Sequence, residues 1–294
     1  MQPIANANAE DTDQNIKELD SYKGRPDGRF PIIELFGPTI QGEGAMIGVK
    51  TMFIRTGGCD YRCTSCDSMH AVEPRAVKFN SKWYTPEDAF KAAILQIGDT
   101  GTQWVTISGG NPVLWDLQEL VQLFHQQGIK VAVETQGSLW RNWLTYCDMV
   151  TVSPKGPGMG EKFDPKIFEQ FMSRLALGDT PSCVKIPVFA QLDLEFVTQV
   201  DRILDEIGLR KDLRYLSQGN PYFPILNRAT YQLEDPTELV ELEQESQDYI
   251  NLPQLLLTDM LATLEMEYLP DKRLAHWKFL PQLHVLLWRN KSKV

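Results

Sequence analysis

The 294-residue chain is short of positive charge: 29 Lys and Arg against 39 Asp and Glu leave a formal net charge of −10. A surface that neutralises a run of phosphates needs the opposite excess, so nucleic acid is excluded as a partner and a small-molecule substrate is expected. Long apolar runs are also missing. None approaches the roughly 18 residues that span a bilayer, and the N-terminus lacks the basic-then-apolar order of a signal peptide, so no membrane role and a cytoplasmic location are expected. There is no internal repeat. The glycines at 42, 44 and 48 are spaced G-x-G-x-x-x-G with no helix pattern behind them and no Lys-Ser or Lys-Thr pair, which excludes a dinucleotide fingerprint and a P-loop. Cysteine is sparse, five in all, and an odd number does not suit a disulfide framework. What remains is ordinary globular composition, 43% hydrophobic and 23% charged, in a length that fits one large α/β domain.

Three of the five cysteines are crowded together. Cys59, Cys63 and Cys66 stand in the order C-x3-C-x2-C within R-T-G-G-C-D-Y-R-C-T-S-C-D-S (residues 55–68). Soft thiolates on a compact loop select an iron–sulfur cluster, zinc or cuprous copper. A closed zinc site needs a fourth ligand, for which His70 is the nearby candidate. Three thiolates on a four-iron cluster leave one iron open to a ligand. Cys147 and Cys183 flank apolar strands and read as inert core residues.

Along the chain, residues 1–28 have almost no apolar periodicity and read as a disordered arm. Residues 29–294 read as a single domain, with an acidic insertion at about 232–250. A first strand begins at Phe30 and ends in a loop over residues 37–44. A second strand, 51–55, leads into the cysteine loop. Helices then alternate with strands: helix 85–97, capped by Thr85 with Pro86 in its first turn; strand 104–108; helix 116–127; strand 129–134; strand 149–153; helix 165–177; strand 184–189; helix 193–207; strand 213–217. A last helix is expected at 252–264. This order implies parallel βαβ units.

In parallel α/β folds the active site lies at the carboxyl ends of the strands, and the polar motifs obey that rule. Arg55 and the cysteine loop follow one strand, S-G-G-N-P (108–112) the next, E-T-Q-G (134–137) the next and S-P-K (153–155) the fourth. Gly109 and Gly110 offer close approach to backbone, and Asn111 an acceptor and a donor. Glu134 suits a base, a ligand for an amine or an ion-pair partner of Lys155. His125 belongs to a helix surface. His284 lies in an apolar closing segment, as a core histidine or a residue beside the substrate.

These motifs together resemble the radical S-adenosylmethionine enzymes, whose signature is the C-x3-C-x2-C loop. Within them the chain is similar to the branch that contracts 6-carboxytetrahydropterin to a 7-deazaguanine on the way to queuosine. The resemblance rests on F-G-P-T-I-Q-G-E-G (36–44), F-I-R-T-G-G-C-D-Y-R-C-T-S-C-D-S (53–68), T-I-S-G-G-N-P (106–112), E-T-Q-G, S-P-K and P-Q-L-H-V-L-L-W (281–288). It implies a partial (β/α)6-type barrel with N- and C-terminal extensions. It implies that Cys59, Cys63 and Cys66 hold a [4Fe–4S] cluster whose open iron binds S-adenosylmethionine. Ser65, Cys66, Asp67, Gly110, Ser153, Pro154 and Lys155 would line the cofactor site, and Asn111 would accept from the cofactor's ammonium where the wider family often has glutamate. Ile40, Gln41, Gly42, Arg55 and Ser108 would face the pterin, with His284 a further candidate. Ser68 would bind Mg2+, and Glu134 would transfer a proton or hold substrate or cofactor. A low-potential donor such as flavodoxin or ferredoxin and a homodimeric state are further implications. The alternatives are an activase that installs a glycyl radical on a partner, and a non-enzymatic iron–sulfur or zinc protein.

Overall fold

Period-two alternation organises the strands. V-T-I-S (105–108), V-A-V-E (131–134), V-T-V-S (150–153) and V-K-I-P (184–187) each place branched apolar residues on one face of a sheet and mostly small or polar ones on the other. The computed structural model describes residues 28–189, 193–219, 270–281 and 283. The arm expected at 1–28 (Gly28 apart), the acidic insertion, the helix expected at 252–264 and most of the closing segment, His284 included, lie outside the described residues.

The described strands form one nine-stranded sheet: β1 (Phe30–Ile40), β2 (Lys50–Thr56), β3 (Lys82–Tyr84), β4 (Trp104–Gly109), β5 (Lys130–Thr135), β6 (Met149–Val152), β7 (Ser182–Val188), β8 (Arg214–Gln218) and β9 (Lys278–Leu280). Their spatial order is β3-β1-β2-β4-β5-β6-β7-β8-β9. From β2 onward every neighbouring pair is parallel, and each new strand of that run joins the same growing edge. The order never reverses, which is the winding of a barrel. Among the described residues the barrel is open: β3 and β9 are the two edges of the sheet and do not pair with each other.

The helices are α1 (Pro74–Asn80), α2 (Pro86–Ile97), α3 (Gln118–Gln126), α4 (Pro165–Leu177) and α5 (Asp193–Ile207). Helix α2 starts as expected, with Thr85 Oγ1 accepting from Asp88 N at 3.1 Å; Asp164 caps α4 in the same way. Ile54, Ile107, Val133, Val150 and Ile186 face these helices and pack with Ala93, Val121, Phe124, Phe171 and Val200 into one core. Burying that face on every strand dictates which face is left for the barrel interior. In register across it stand Arg55 beside Ser108 and Glu134 beside Thr151, with Cys183 beside Thr151 and Lys185 two residues further along β7.

Two expectations change. The first strand does not end at Phe36: β1 runs on to Ile40, because β2 offers it antiparallel partners at Thr51 and Lys50 after a register shift between Phe36 and Thr39. Half of the expected 37–44 loop is therefore strand. The short helix α1 and the strands β3 and β9 have no counterpart in the sequence reading, since segments of three to seven residues carry too little periodicity to stand out. No helix among the described residues is long and apolar enough to cross a membrane.

Candidate active site

The cysteine loop is braced by protein contacts on every side. Asp60, between the first two cysteines, accepts from Asn111 Nδ2 at 2.7 Å, Gln136 Nε2 at 2.6 Å and Ser138 Oγ at 2.6 Å. Arg62 Nη1 donates to the Cys59 and Tyr61 carbonyls. The turn after β6 holds the far side, with Thr64 N on Met159 O at 2.8 Å and Arg62 N on Glu161 Oε1 at 2.8 Å. Cys59 and Cys63 are buried and Cys66 is partly exposed.

The donor set fits an iron–sulfur cluster. Burial pushes the Cys59 and Cys63 thiols well up and Cys66 to about 12, while the charge of Lys155 works the other way on Cys63 and Cys66. Cluster binding must release those protons, and the opposing charge of Lys155 favours the thiolates that iron takes. No three His, Cys, Asp or Glu side chains among the described residues are grouped as a single metal ion requires. A cubane, which offers each thiolate its own iron, has no such requirement. His70, the nearby candidate for a zinc site's fourth ligand, stands beside Glu34, its Nε2 3.6 Å from Glu34 Oε2, and forms no metal-holding group with the cysteines among the described residues.

Arg55, at the end of β2, is held from both sides. Its Nε donates to Glu34 Oε2 at 2.9 Å and its Nη1 to Ser68 Oγ at 2.7 Å, and Ser68 in turn donates to Asp67 Oδ1 at 3.0 Å. Burial works against the Glu34 charge, but His70 and Arg55 outweigh it and hold the carboxyl at about 2, against an ordinary 4.5. A carboxyl whose folded pKa lies below its unfolded one stabilises the fold above the unfolded value and loses that contribution as pH falls toward the folded one. Glu34→Gln is therefore expected to remove about 3 kcal/mol at neutral pH. It should also flatten the acid limb of the stability curve between about pH 4.5 and pH 2, read by urea denaturation across that range. An unchanged acid limb would refute this.

Deeper in the barrel stands a second array. Gln41 Nε2 donates to Glu134 Oε1 at 2.8 Å, and its Oε1 accepts from Gly42 N at 2.7 Å. Lys185 Nζ donates to Glu43 Oε2 at 2.5 Å. Burial and the nearby Glu43 charge raise the Glu134 pKa, with Lys185, Gln41 and Arg55 pulling against them. Burial disfavours the Lys185 charge, yet Glu43 and Glu134 more than compensate and keep its pKa above the ordinary value.

Most of the expected residues meet at this rim: the cysteine loop, Arg55, Ser108, Gly110, Glu134 and the 153–155 turn all follow neighbouring strand ends. Ile40 sits at the exposed end of β1. Three details differ from the sequence reading. Glu134 is linked to Gln41 and Lys185; Lys155 instead donates to Ser153 Oγ at 2.8 Å. Asn111 is fully buried, with its Nδ2 on Asp60 and Ser138 and its Oδ1 accepting from Thr135 Oγ1 and Val113 N. Its amide is spent on the fold, so the carbonyl expected to receive an ammonium is already taken. Gly109 and Gly110 do permit close approach, but of the chain itself: a Cβ on Gly109 would meet Thr56 O at 2.2 Å and one on Gly110 would meet Gly58 O at 2.1 Å.

Sequence reasoning missed Asp60, Glu34, Glu43 and Lys185. The signal for Lys185 was present, a lysine at the interior position of V-K-I-P where period two puts it on the face of Glu134.

An open parallel barrel whose strand ends carry a three-cysteine loop defines the class, that of the radical S-adenosylmethionine enzymes. Residues 40–152 match the family described as 4Fe-4S single cluster domain. The chain is 35% identical over 267 residues to the 7-carboxy-7-deazaguanine synthase of Bacillus cereus, covering 90% of this chain and 99% of that protein. It is 35% identical to the Bacillus subtilis enzyme of the same name, covering 90% and 98%. The chain belongs to the 7-carboxy-7-deazaguanine synthase family. In fold it is similar to the crystal structure of QueE from Escherichia coli, with TM-score 0.54 and 23% identity over 91% of this chain and 99% of that one.

Proposed function

We propose that this protein converts 6-carboxy-5,6,7,8-tetrahydropterin to 7-carboxy-7-deazaguanine with loss of ammonia, as a step toward queuosine. The observation that carries the reading is the 35% identity to enzymes of that name along almost the whole of both chains. Cys59, Cys63 and Cys66 would hold a [4Fe–4S] cluster, and Ser65, Asp67, Gly110 and the turn at Ser153, Pro154 and Lys155 would line the adjoining S-adenosylmethionine site. When bound and reduced, such a cluster and cofactor would supply one-electron radical chemistry for attack on a substrate carbon–hydrogen bond.

The chain's own residues do the rest. Lys155 provides positive charge beside the cysteines. Asn111 acts through Asp60, holding the loop in place. Ile40, Gln41, Gly42 and Ser108 face the pterin. Arg55 has committed two of its five N–H donors, to Glu34 and Ser68, and offers the others to the pterin carboxylate. The hydroxyl of Ser68, which stands 3.0 Å from Asp67 Oδ1, would be the hard oxygen that holds Mg2+. Held there, Mg2+ would supply positive charge for the substrate carboxylate, beside Arg55. Glu134, raised in pKa, gives or takes a proton at the ring nitrogens. His284 is assigned to the substrate side. A low-potential one-electron donor of the flavodoxin or ferredoxin class, a homodimeric state and the reducing cytoplasm complete the proposal.

Anaerobic reconstitution followed by assay with the pterin, S-adenosylmethionine, dithionite and magnesium tests it. A preparation that cleaves the cofactor but yields no deazaguanine would overturn the assignment, and a reduced cluster whose spectrum ignores S-adenosylmethionine would favour a plain iron–sulfur protein. Glu134→Gln is expected to slow product formation by about 100-fold or more while leaving cluster content intact. Full turnover by this variant would remove Glu134 from proton transfer.

A further inference from the structure

The segment that follows β1 crosses the barrel interior. It leaves the sheet at Ile40 and reaches β6 and β7, where a Cβ on Gly44 would stand 3.4 Å from Thr151 Cγ2 and 3.5 Å from Cys183 Sγ. Two polar side-chain contacts fasten it across that span: Gln41 to Glu134, 93 residues apart in sequence, and Glu43 to Lys185, 142 apart. The Glu43 and Lys185 side chains are each 11% exposed. Bringing the Glu43 and Glu134 carboxylates together on one buried face costs several kcal/mol per ion unless a cation stands between them. Lys185 is that cation, in hydrogen-bond contact with one carboxylate and attracting the other.

We propose that Lys185 is a positioning residue of the active site: by clamping Glu43 it fixes the Gln41–Gly44 loop over Glu134, so that loop backbone and carboxyl meet the substrate in one geometry. The inference rests on the pterin reading above. It assigns Lys185 and Glu43 a single joint role, with Lys185 making no proton exchange with the substrate. Because the clamp's hydrogen bonds join Lys185 to Glu43 and Gln41 to Glu134 and none of them reaches a cysteine of the cluster loop, it acts on substrate turnover and leaves cofactor cleavage alone.

The test compares Lys185→Met, which keeps the length of the stem and removes the charge, with Lys185→Arg, Glu43→Gln and the Lys185→Met/Glu43→Gln double variant, all as reconstituted full-length protein. Lys185→Met is expected to retain its iron and to form 5′-deoxyadenosine within about 3-fold of the parent, while deazaguanine formation falls about 100-fold and Lys185→Arg recovers most of it. Glu43→Gln added to Lys185→Met should cost less than about 3-fold more, as expected of two residues acting as one unit. Amide exchange over residues 41–49, followed by mass spectrometry, should quicken about 10-fold in Lys185→Met.

Parallel loss of iron and cofactor cleavage, losses that multiply in the double variant, full turnover or unchanged exchange would each overturn the proposal. A parent protein that forms 5′-deoxyadenosine but no deazaguanine would instead sink the pterin reading. The exchange measurement would then decide the clamp by itself.

Discussion

Cys63→Ala is expected to give a folded chain that binds no functional cluster and forms no detectable deazaguanine or 5′-deoxyadenosine, a loss of at least about 10,000-fold. With one of the three proposed thiolate ligands gone, a cluster would have only two protein ligands and no single defined open position for the cofactor. The fold is expected to survive because protein contacts also hold the loop. Asp60 is tied to Asn111, Gln136 and Ser138, and Thr64 to Met159, by bonds that the substitution leaves untouched. Stability of the cluster-free protein should therefore fall by no more than about 1 kcal/mol, the cost of a small buried truncation. Iron analysis, visible absorption and denaturation of the cluster-free forms of parent and variant read all three quantities. A variant with full iron content would show that Cys63 is not a ligand.

The second large effect is Gly110→Ala. The added Cβ would lie 2.1 Å from Gly58 O, 2.6 Å from Gly58 C and 2.9 Å from Ala71 O, all backbone atoms. No rotamer change relieves such a contact, so either β4 or the segment leading to the cysteines must move. The hydrogen bonds from Asn111 N to Gly58 O at 2.7 Å and from Gly58 N to Ala71 O at 2.8 Å tie these segments at that closeness. The expected cost is about 3 kcal/mol or more, with loss of cluster loading as the loop shifts. Gly128→Ala is the control. Its φ is +69° and no atom lies within 4 Å of where a Cβ would stand, so only the left-handed backbone is penalised, by about 1 kcal/mol. Equal losses in the two variants, measured by urea denaturation, would show that close approach is not what demands glycine at 110.

Much of this architecture was legible because its causes are local. Thr85 followed by Pro86 marks a helix start wherever it occurs, and the apolar spacing of residues 165–177 gives a helix with those bounds. The strands β4 to β7 announce themselves by branched residues, and the rule that sites gather at strand ends then places Arg55, Ser108, Glu134 and Ser153 together without coordinates. The reading failed where a partner far along the chain decides the outcome. β1 continues past Gly37 only because Lys50 and Thr51 are there to pair with it. Asn111 looked like a ligand contact, but three-dimensional neighbours consume its amide.

By itself, then, the sequence determined the chemistry available: three thiolates at cluster spacing, an arginine and a serine at the edges of their loop, and a glutamate at a strand end. Those follow from residue type and short spacing, which the chain carries wherever it folds. Only the tertiary structure decided how the polar groups are divided among themselves. Glu34 takes Arg55, Asp60 takes Asn111, and Glu43 takes Lys185 across 142 residues. Burial of the apolar faces beneath the helices forces the other face of every strand into one interior, and there each charge must find a partner or bear the full cost of desolvation.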